Sequence, residues 1–307
     1  MEKFLLFASS VILAVAALML ANDALNRHLI FSASNSNPYK MRRLFDNPEK
    51  GEIPILGSSR AEAGFAPREI SGKAFNYGLS GSSARETVFH LKAVLSRPDN
   101  ELVIVNLDPW GLGNGQFLGD YSFAADNALV RSETRIQIPF ADLVPGIRFQ
   151  GKTRRNLANC LNNRLAVTKT MERGAILQRL SRSEAEWDYI ISKCGPRGCS
   201  CNGETKTMLA ETLLGNTHHE VVFVVSPIAK PWWDRFTGQK ELAELENWLS
   251  SFPHVHVIGF AETSQGYELS EFMDLTHLNE TGARRFSREL KARLASFGLM
   301  PHADEEM

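Results

Sequence analysis

The sequence predicts an α/β protein built on a parallel sheet, and three observations carry that prediction. Two apolar runs, "ELVIVNLD" and "EVVFVVSP", are nearly unbroken rather than alternating, the pattern of strands covered on both faces. Three shorter runs, "IPILG", "KAFNYG" and "HVHVIGF", supply further candidate strands. Helical segments alternate with these runs, as connections between parallel strands require. The chain has 307 residues, enough for one sizeable domain with a large insertion, or for two small ones. Its formal net charge of -1 provides no basic field, so no nucleic-acid partner is expected.

The first element is "FLLFASSVILAVAALMLA", residues 4–21, which carries no charge. About 17–25 apolar residues span a bilayer, so this stretch reads as an N-terminal membrane anchor. A cleaved signal peptide and a buried helix are the alternatives. Residues 22–50 follow as a polar, turn-rich stalk, with "SASNSNP" near the middle and "NPEKGE" at the end. Residues 51–300 form the sheet domain, and residues 301–307 a solvated tail.

Within the domain, "IPILG" is the first strand and "KAFNYG" the second. Ser82 or Ser83 then caps a helix running to about Leu95. "ELVIVNLD" is the third strand, "EVVFVVSP" the fourth and "HVHVIGF" the fifth. A last helix is introduced by Asn279 and runs from about Glu280 to Phe297. The stretch between the third and fourth strands, about residues 110–218, is too long for one crossover. It reads as a mainly helical insertion: residues 153–182 look helical and amphipathic, and "SEAEWDYIISK" is a further helix. Ligands of open parallel sheets bind beyond the carboxyl ends of the strands, where such an insertion can wall a site.

Of the four cysteines, Cys194, Cys199 and Cys201 share the turn "CGPRGCSC", and Cys160 lies apart. One or two disulfides there suit an oxidising compartment; free thiols are the alternative. The spacing is not a CxxC pair, and His218 and His219 lie well away, so a metal site is the weakest reading. His254 and His256 alternate along the fifth strand, too few ligands for a metal. No metal and no cofactor are expected.

The candidate chemistry lies at two ends of the domain. Gly57-Ser58-Ser59-Arg60 follows the first strand, where a serine can present its hydroxyl at the rim. "FMDLTHLNETGARRFSREL" supplies Asp274 and His277, three residues apart, just before the last helix. A nucleophilic serine needs a base within hydrogen-bond reach, and that base needs a carboxylate to fix its tautomer. Each feature taken alone also suits an ordinary turn, cap or surface residue.

In this order, Gly-x-Ser after the first strand, "NYGLSG" after the second, and Asp-x-x-His before the last helix, the chain resembles the SGNH, or GDSL-like, hydrolase superfamily. The resemblance covers about residues 53–295, through those three short motifs. It implies a three-layer α/β/α fold of flavodoxin-like type, with a central parallel sheet of about five strands. It implies Ser59 as nucleophile, with Ser58 in place of the family's Asp, and His277 and Asp274 completing a triad. It implies backbone N–H groups of Ser59 and Gly78 as the oxyanion hole.

The family's Gly-x-Asn-Asp after the third strand is missing; the segment here is "VNLDPWGLGNG". A carboxylate at Asp108 would repel an oxyanion, Asn106 falls within the strand, and Asn114 or Arg60 could supply a donor instead. Losing one such donor slows catalysis by about 100- to 1,000-fold, so weak general hydrolysis follows. Arg60, Asp108, Trp110, Trp232 and Trp233 are candidate substrate-side residues. The two tryptophans of "SPIAKPWWDRF" could form a sugar platform, or one could plug the core under the rim.

Together with the anchor, the GSSR form resembles the membrane-anchored proteins of bacterial envelope acylation, such as alginate O-acetylation and teichoic-acid D-alanylation. That implies an O-acyltransferase or esterase acting on an envelope polysaccharide or similar acylated glycan. It also implies a multi-spanning membrane O-acyltransferase as partner. The expected place is the cytoplasmic membrane, single-pass, with the domain on the periplasmic or extracellular side. A non-enzymatic SGNH-like partner of an acylation system is the alternative, and coincidental motifs on a structural fold a third reading.

Overall fold

The computed structural model of the chain describes residues 1–31, 36–46, 49–98, 101–113, 115, 117, 121–125, 127–133, 136, 152–165, 169–195, 198–216, 218–259 and 266–300. Its elements, in chain order, are α1 (Glu2–Phe31), α2 (Asn37–Asp46), β1 (Ile53–Leu56), α3 (Ser59–Gly64), α4 (Pro67–Ile70), β2 (Ala74–Asn76), α5 (Ala84–Leu95) and β3 (Leu102–Asn106). There follow α6 (Ala128–Ser132), α7 (Thr153–Leu165), β4 (Lys169–Glu172), β5 (Ala175–Gln178), α8 (Glu184–Ser192) and α9 (Gly203–Leu214). The last are β6 (Glu220–Val224), α10 (Lys230–Trp233), α11 (Gln239–Leu249), β7 (Val255–Ile258) and α12 (Glu280–Ser296). They fall into two compact units: Met1–Asp46 with Asp120–Ala166, and Asn47–Gly119 with Val167–Met307.

In the first unit, α1 is unbroken for 30 residues, about 45 Å at 1.5 Å per residue. It is long and apolar enough to cross a membrane. Phe4, Leu6, Leu13 and Leu18 leave 64–71% of their surface exposed, so no protein core claims this stretch. The stalk expected over residues 22–50 is largely helical instead. Polar residues spaced three and four apart continue α1 and pair with α7. Asn26 is fully buried, donating to Thr153 Oγ1 at 2.9 Å and accepting from Asn156 Nδ2 at 2.8 Å. Asp23 and Arg27 pair at 2.7 Å one turn apart.

The second unit holds a five-stranded parallel sheet in the order β2-β1-β3-β6-β7. Every residue of β3 is buried, which explains its unbroken apolar run. α5 packs with α9, while α3, α4 and α12 pack together. The second group is keyed by Ala66 N–H donating to Ser287 Oγ (2.8 Å) and by the Phe65–Phe286 ring contact. From β1 the chain steps outward to β2, then crosses to β3 on the other side. The loops leaving β1 and β3 therefore diverge, and such a switch point opens a crevice.

The insertion expected over residues 110–218 differs in two ways. Its residues 120–166 belong with the first unit, and the residues on either side of them with the sheet unit. The helix expected over residues 153–182 ends at Leu165, and an antiparallel β4–β5 hairpin follows. Its turn, Arg173-Gly174, has positive φ at both residues, 42° and 87°. Arg173 O accepts from Asn76 N–H at 2.8 Å, tying the turn to β2.

Candidate active site

Three loops at the carboxyl ends of β1, β3 and β6 meet the Asp274–His277 loop. The turn after β1 is built by two close approaches. Gly57 has φ +143°, and a Cβ there would lie 2.8 Å from Ala61 Cβ and 3.0 Å from Asn106 Cβ. Ser58 caps α3 by accepting from Arg60 N–H (3.3 Å). Ser59 thus becomes the first residue of α3, half-buried, with its side chain turned out of the cap.

The segment before α12 organises itself around one carboxylate. Asp274 Oδ1 accepts from the N–H groups of Thr276 (2.8 Å) and His277 (3.0 Å) and from Thr276 Oγ1 (3.0 Å). Ala229 N–H, beyond β6, donates to Leu275 O at 3.1 Å and pins the loop. His277 Nδ1 then lies 2.9 Å from both oxygens of Asp274. Its Nε2 lies 2.8 Å from Ser59 Oγ, across 218 residues of sequence. With the carboxylate on Nδ1, the proton sits there, and Nε2 is free to accept from the serine hydroxyl. Burial pushes the Asp274 carboxyl up, but hydrogen bonds from His277 and Thr276 outweigh it and hold it at about 2.

The other candidate residues sit differently. Arg60 is not on the substrate side: its guanidinium is 1% exposed and turned inward. Gly78 N–H donates to Asn76 Oδ1 at 2.8 Å, so it is committed within the fold rather than open to an oxyanion. Gly78 is required for packing instead, since a Cβ would lie 2.4 Å from Glu62 N on α3. Asn76 holds the same junction from the other side, donating to Ala61 O (2.8 Å) and Phe65 O (3.2 Å). Asn114 lies outside the described residues.

Asp108 stands at the rim after β3. Its Oδ1 accepts from Ser58 Oγ (3.1 Å), Asn106 Nδ2 (3.2 Å) and Arg60 (3.4 Å). Burial pushes its pKa up, opposed by the Arg60 charge and the Ser58 hydrogen bond. Trp110 is half-buried, with its ring edge-to-face on Trp232 at 6.3 Å. Trp232 is buried and stacked on Phe236 at 5.1 Å, so it belongs to the core; Trp233 is half-buried. A cleft of about 560 Å³ beside α10 is lined by Lys230, Asp234, Arg235, Tyr267 and Glu268 together with the apolar Pro231 and Leu269.

The disulfide expected in "CGPRGCSC" is not formed; all four cysteines are free thiols. Burial, then the neighbouring Cys201, push the Cys199 thiol up to about 12. His254 and His256 both face Glu220, at 3.0 and 2.7 Å.

Sequence reasoning overlooked Thr276 and Asn76, whose roles lie in orienting backbone. An Asp followed two residues later by Thr is an Asx-turn signal that could have found the first. It also overlooked Gly81, an exposed residue with φ +84°. Ser80 beside it donates to Glu62 Oε2 at 2.9 Å, holding this loop against α3. The N–H groups of Ser59 and Gly81 have no acceptor among the described residues.

No protein-family model matches the chain, and no curated protein matches it. Among solved structures, one described as a candidate platelet activating factor from Streptococcus pneumonia is similar at 12% identity and a TM-score of 0.38. The match covers 87% of this chain and 95% of that one, and is too weak to bear on fold or function.

Proposed function

We propose that this chain is a serine-dependent acyl-handling enzyme of SGNH-like type, an O-acyltransferase or esterase acting on an acylated cell-envelope glycan. The observation that carries this reading is Ser59 Oγ at 2.8 Å from His277 Nε2, with Asp274 on the other ring nitrogen. In the reaction, Ser59 Oγ attacks an ester carbonyl while its proton passes to His277 Nε2. Asp274 keeps its charge and stabilises the resulting imidazolium. The tetrahedral intermediate collapses, His277 returns the proton to the leaving alkoxide, and the acyl group stays on Ser59. Water or a glycan hydroxyl, deprotonated by His277, then takes the acyl group and frees the serine.

The oxyanion donors in this reading are the N–H groups of Ser59 and Gly81, with no third donor from the loop after β3 among the described residues. Slow hydrolysis of small esters follows. The exposed apolar half of α1 supports a single-pass membrane anchor; the acylation reading puts it in the cytoplasmic membrane, with the domain on the outer side. There a tether raises effective concentration near an acyl donor presented by a multi-spanning membrane O-acyltransferase. The cleft beside α10, with its charged and apolar lining, offers a place for the glycan.

The test is the ester content of isolated envelope polymers. Ser59→Ala cells should lose ester-linked acyl groups; a gain would reassign the enzyme as a deacetylating esterase. A second reading, a non-enzymatic partner of an acylation system, is favoured by the commitment of Gly78 N–H and the carboxylate at Asp108. Unchanged ester content in Ser59→Ala cells would support it.

A further inference from the structure

We propose that Arg60 is a positioning residue that fixes the distance between Ser59 and His277 by clamping together the loops that carry them. This rests on the serine-enzyme reading of the site. The guanidinium is almost wholly buried and reaches three other segments. Nε donates to Thr276 O, the residue before His277, at 3.1 Å. One terminal nitrogen donates to Ser226 O (2.5 Å) and Pro227 O (3.5 Å), beyond β6. The other meets Asp108 Oδ1, beyond β3, at 3.4 Å. The backbone of Arg60 directly follows Ser59, so one side chain ties the nucleophile's turn to the base's loop.

A buried charge of this kind is a poor way to gain stability. Removing a cation from water is unfavourable unless it is well paired, and apolar residues of similar volume often do as well or better. Among the described residues its one ion-pair partner is Asp108. That carboxylate oxygen is already shared with Ser58 and Asn106. The other three acceptors are neutral carbonyls. What the planar fork provides is direction: hydrogen bonds fanned to three separate segments, which a point-charge lysine cannot match. Asp108 is thereby explained as the counter-ion of the clamp.

The test compares Arg60→Lys and the paired variant Arg60→Met/Asp108→Leu with the native full-length chain. Three quantities are read: the rate of labelling by a small fluorophosphonate, the melting temperature, and the low-field proton resonance of the His277–Asp274 hydrogen bond. The paired variant removes both buried charges, so it leaves no unpaired charge where a single substitution would. Labelling should fall about 10- to 100-fold in both, the effect of a displacement near 1 Å, and the low-field resonance should weaken. The paired variant should melt no lower than Arg60→Lys. Native-rate labelling in either variant overturns the clamp while leaving the serine reading intact. A native chain that takes no label removes the reading on which the clamp rests.

Discussion

Ser58 and Ser59 are neighbours whose hydroxyls serve different partners: Ser59 Oγ meets His277 Nε2 at 2.8 Å, while Ser58 Oγ donates to Asp108 Oδ1 at 3.1 Å. Ser58 also caps α3, and cap removal typically costs about 1 kcal/mol. Ser59→Ala should abolish hydrolysis of small acetyl esters. Ser58→Ala should keep a measurable rate with slightly lower stability. Initial rates on an acetyl ester for the two purified variants check this, and the reverse pattern would reassign the nucleophile.

In the proposed reaction Asp274 orients the base rather than reacting. Asp274→Asn should therefore lower turnover by about 10³- to 10⁴-fold with the fold intact. The same carboxyl also leaves a mark on acid stability. Burial raises its pKa, but hydrogen bonds lower it more, to about 2. Its contribution is present above the unfolded value near 4 and is lost as pH falls through about 2. Urea midpoints between pH 4 and 2 should fall more steeply for the native chain than for Asp274→Asn. The side chain is 37% exposed, so the effect is small.

His90, on α5, acts in a higher pH window. Burial pushes its pKa down to about 4, with Glu86 opposing. Between about 4 and 6.5 the unfolded chain binds a proton that the folded chain does not. Stability therefore rises with pH across that window and is lost on acidification. The span of about 2.5 pH units, at about 1.4 kcal/mol each, corresponds to about 3 to 4 kcal/mol at most. His90→Gln should flatten the dependence of urea midpoints between pH 7 and 4.5; an unchanged slope contradicts the assignment.

Residues 4–20 of α1 have little protein around them, whereas Asn26 is buried against α7. The full chain should fractionate with membranes and resist extraction at high pH. A reporter fused after Met307 should work only in its exported form. Recovery of a soluble chain starting near Asn22 would show a cleaved signal instead.

Much of this fold was legible because β3 and β6 are nearly all apolar, the pattern of strands covered on both faces. The cap of α12 was equally plain: Asn279 Oδ1 accepts from Gly282 N–H at 3.1 Å. The β4–β5 hairpin was hidden because its short strands follow a real helix without a proline between, and only Gly174 marks its turn. In the site, spacing drew attention to Asp274 and His277, but Gly78 and Arg60 depend on long-range packing. A glycine poised to donate and one pressed against a helix backbone look identical in sequence. So do an arginine at a rim and one buried beneath it.

The central claim is that Ser59 is a nucleophile activated by His277. Its most direct test is peptide mapping by mass spectrometry after treating the full-length chain with a fluorophosphonate. The account predicts one phosphonyl adduct, on the peptide containing Ser59, absent from Ser59→Ala and strongly reduced in His277→Gln. No adduct on the native chain, or one that persists in Ser59→Ala, would contradict it.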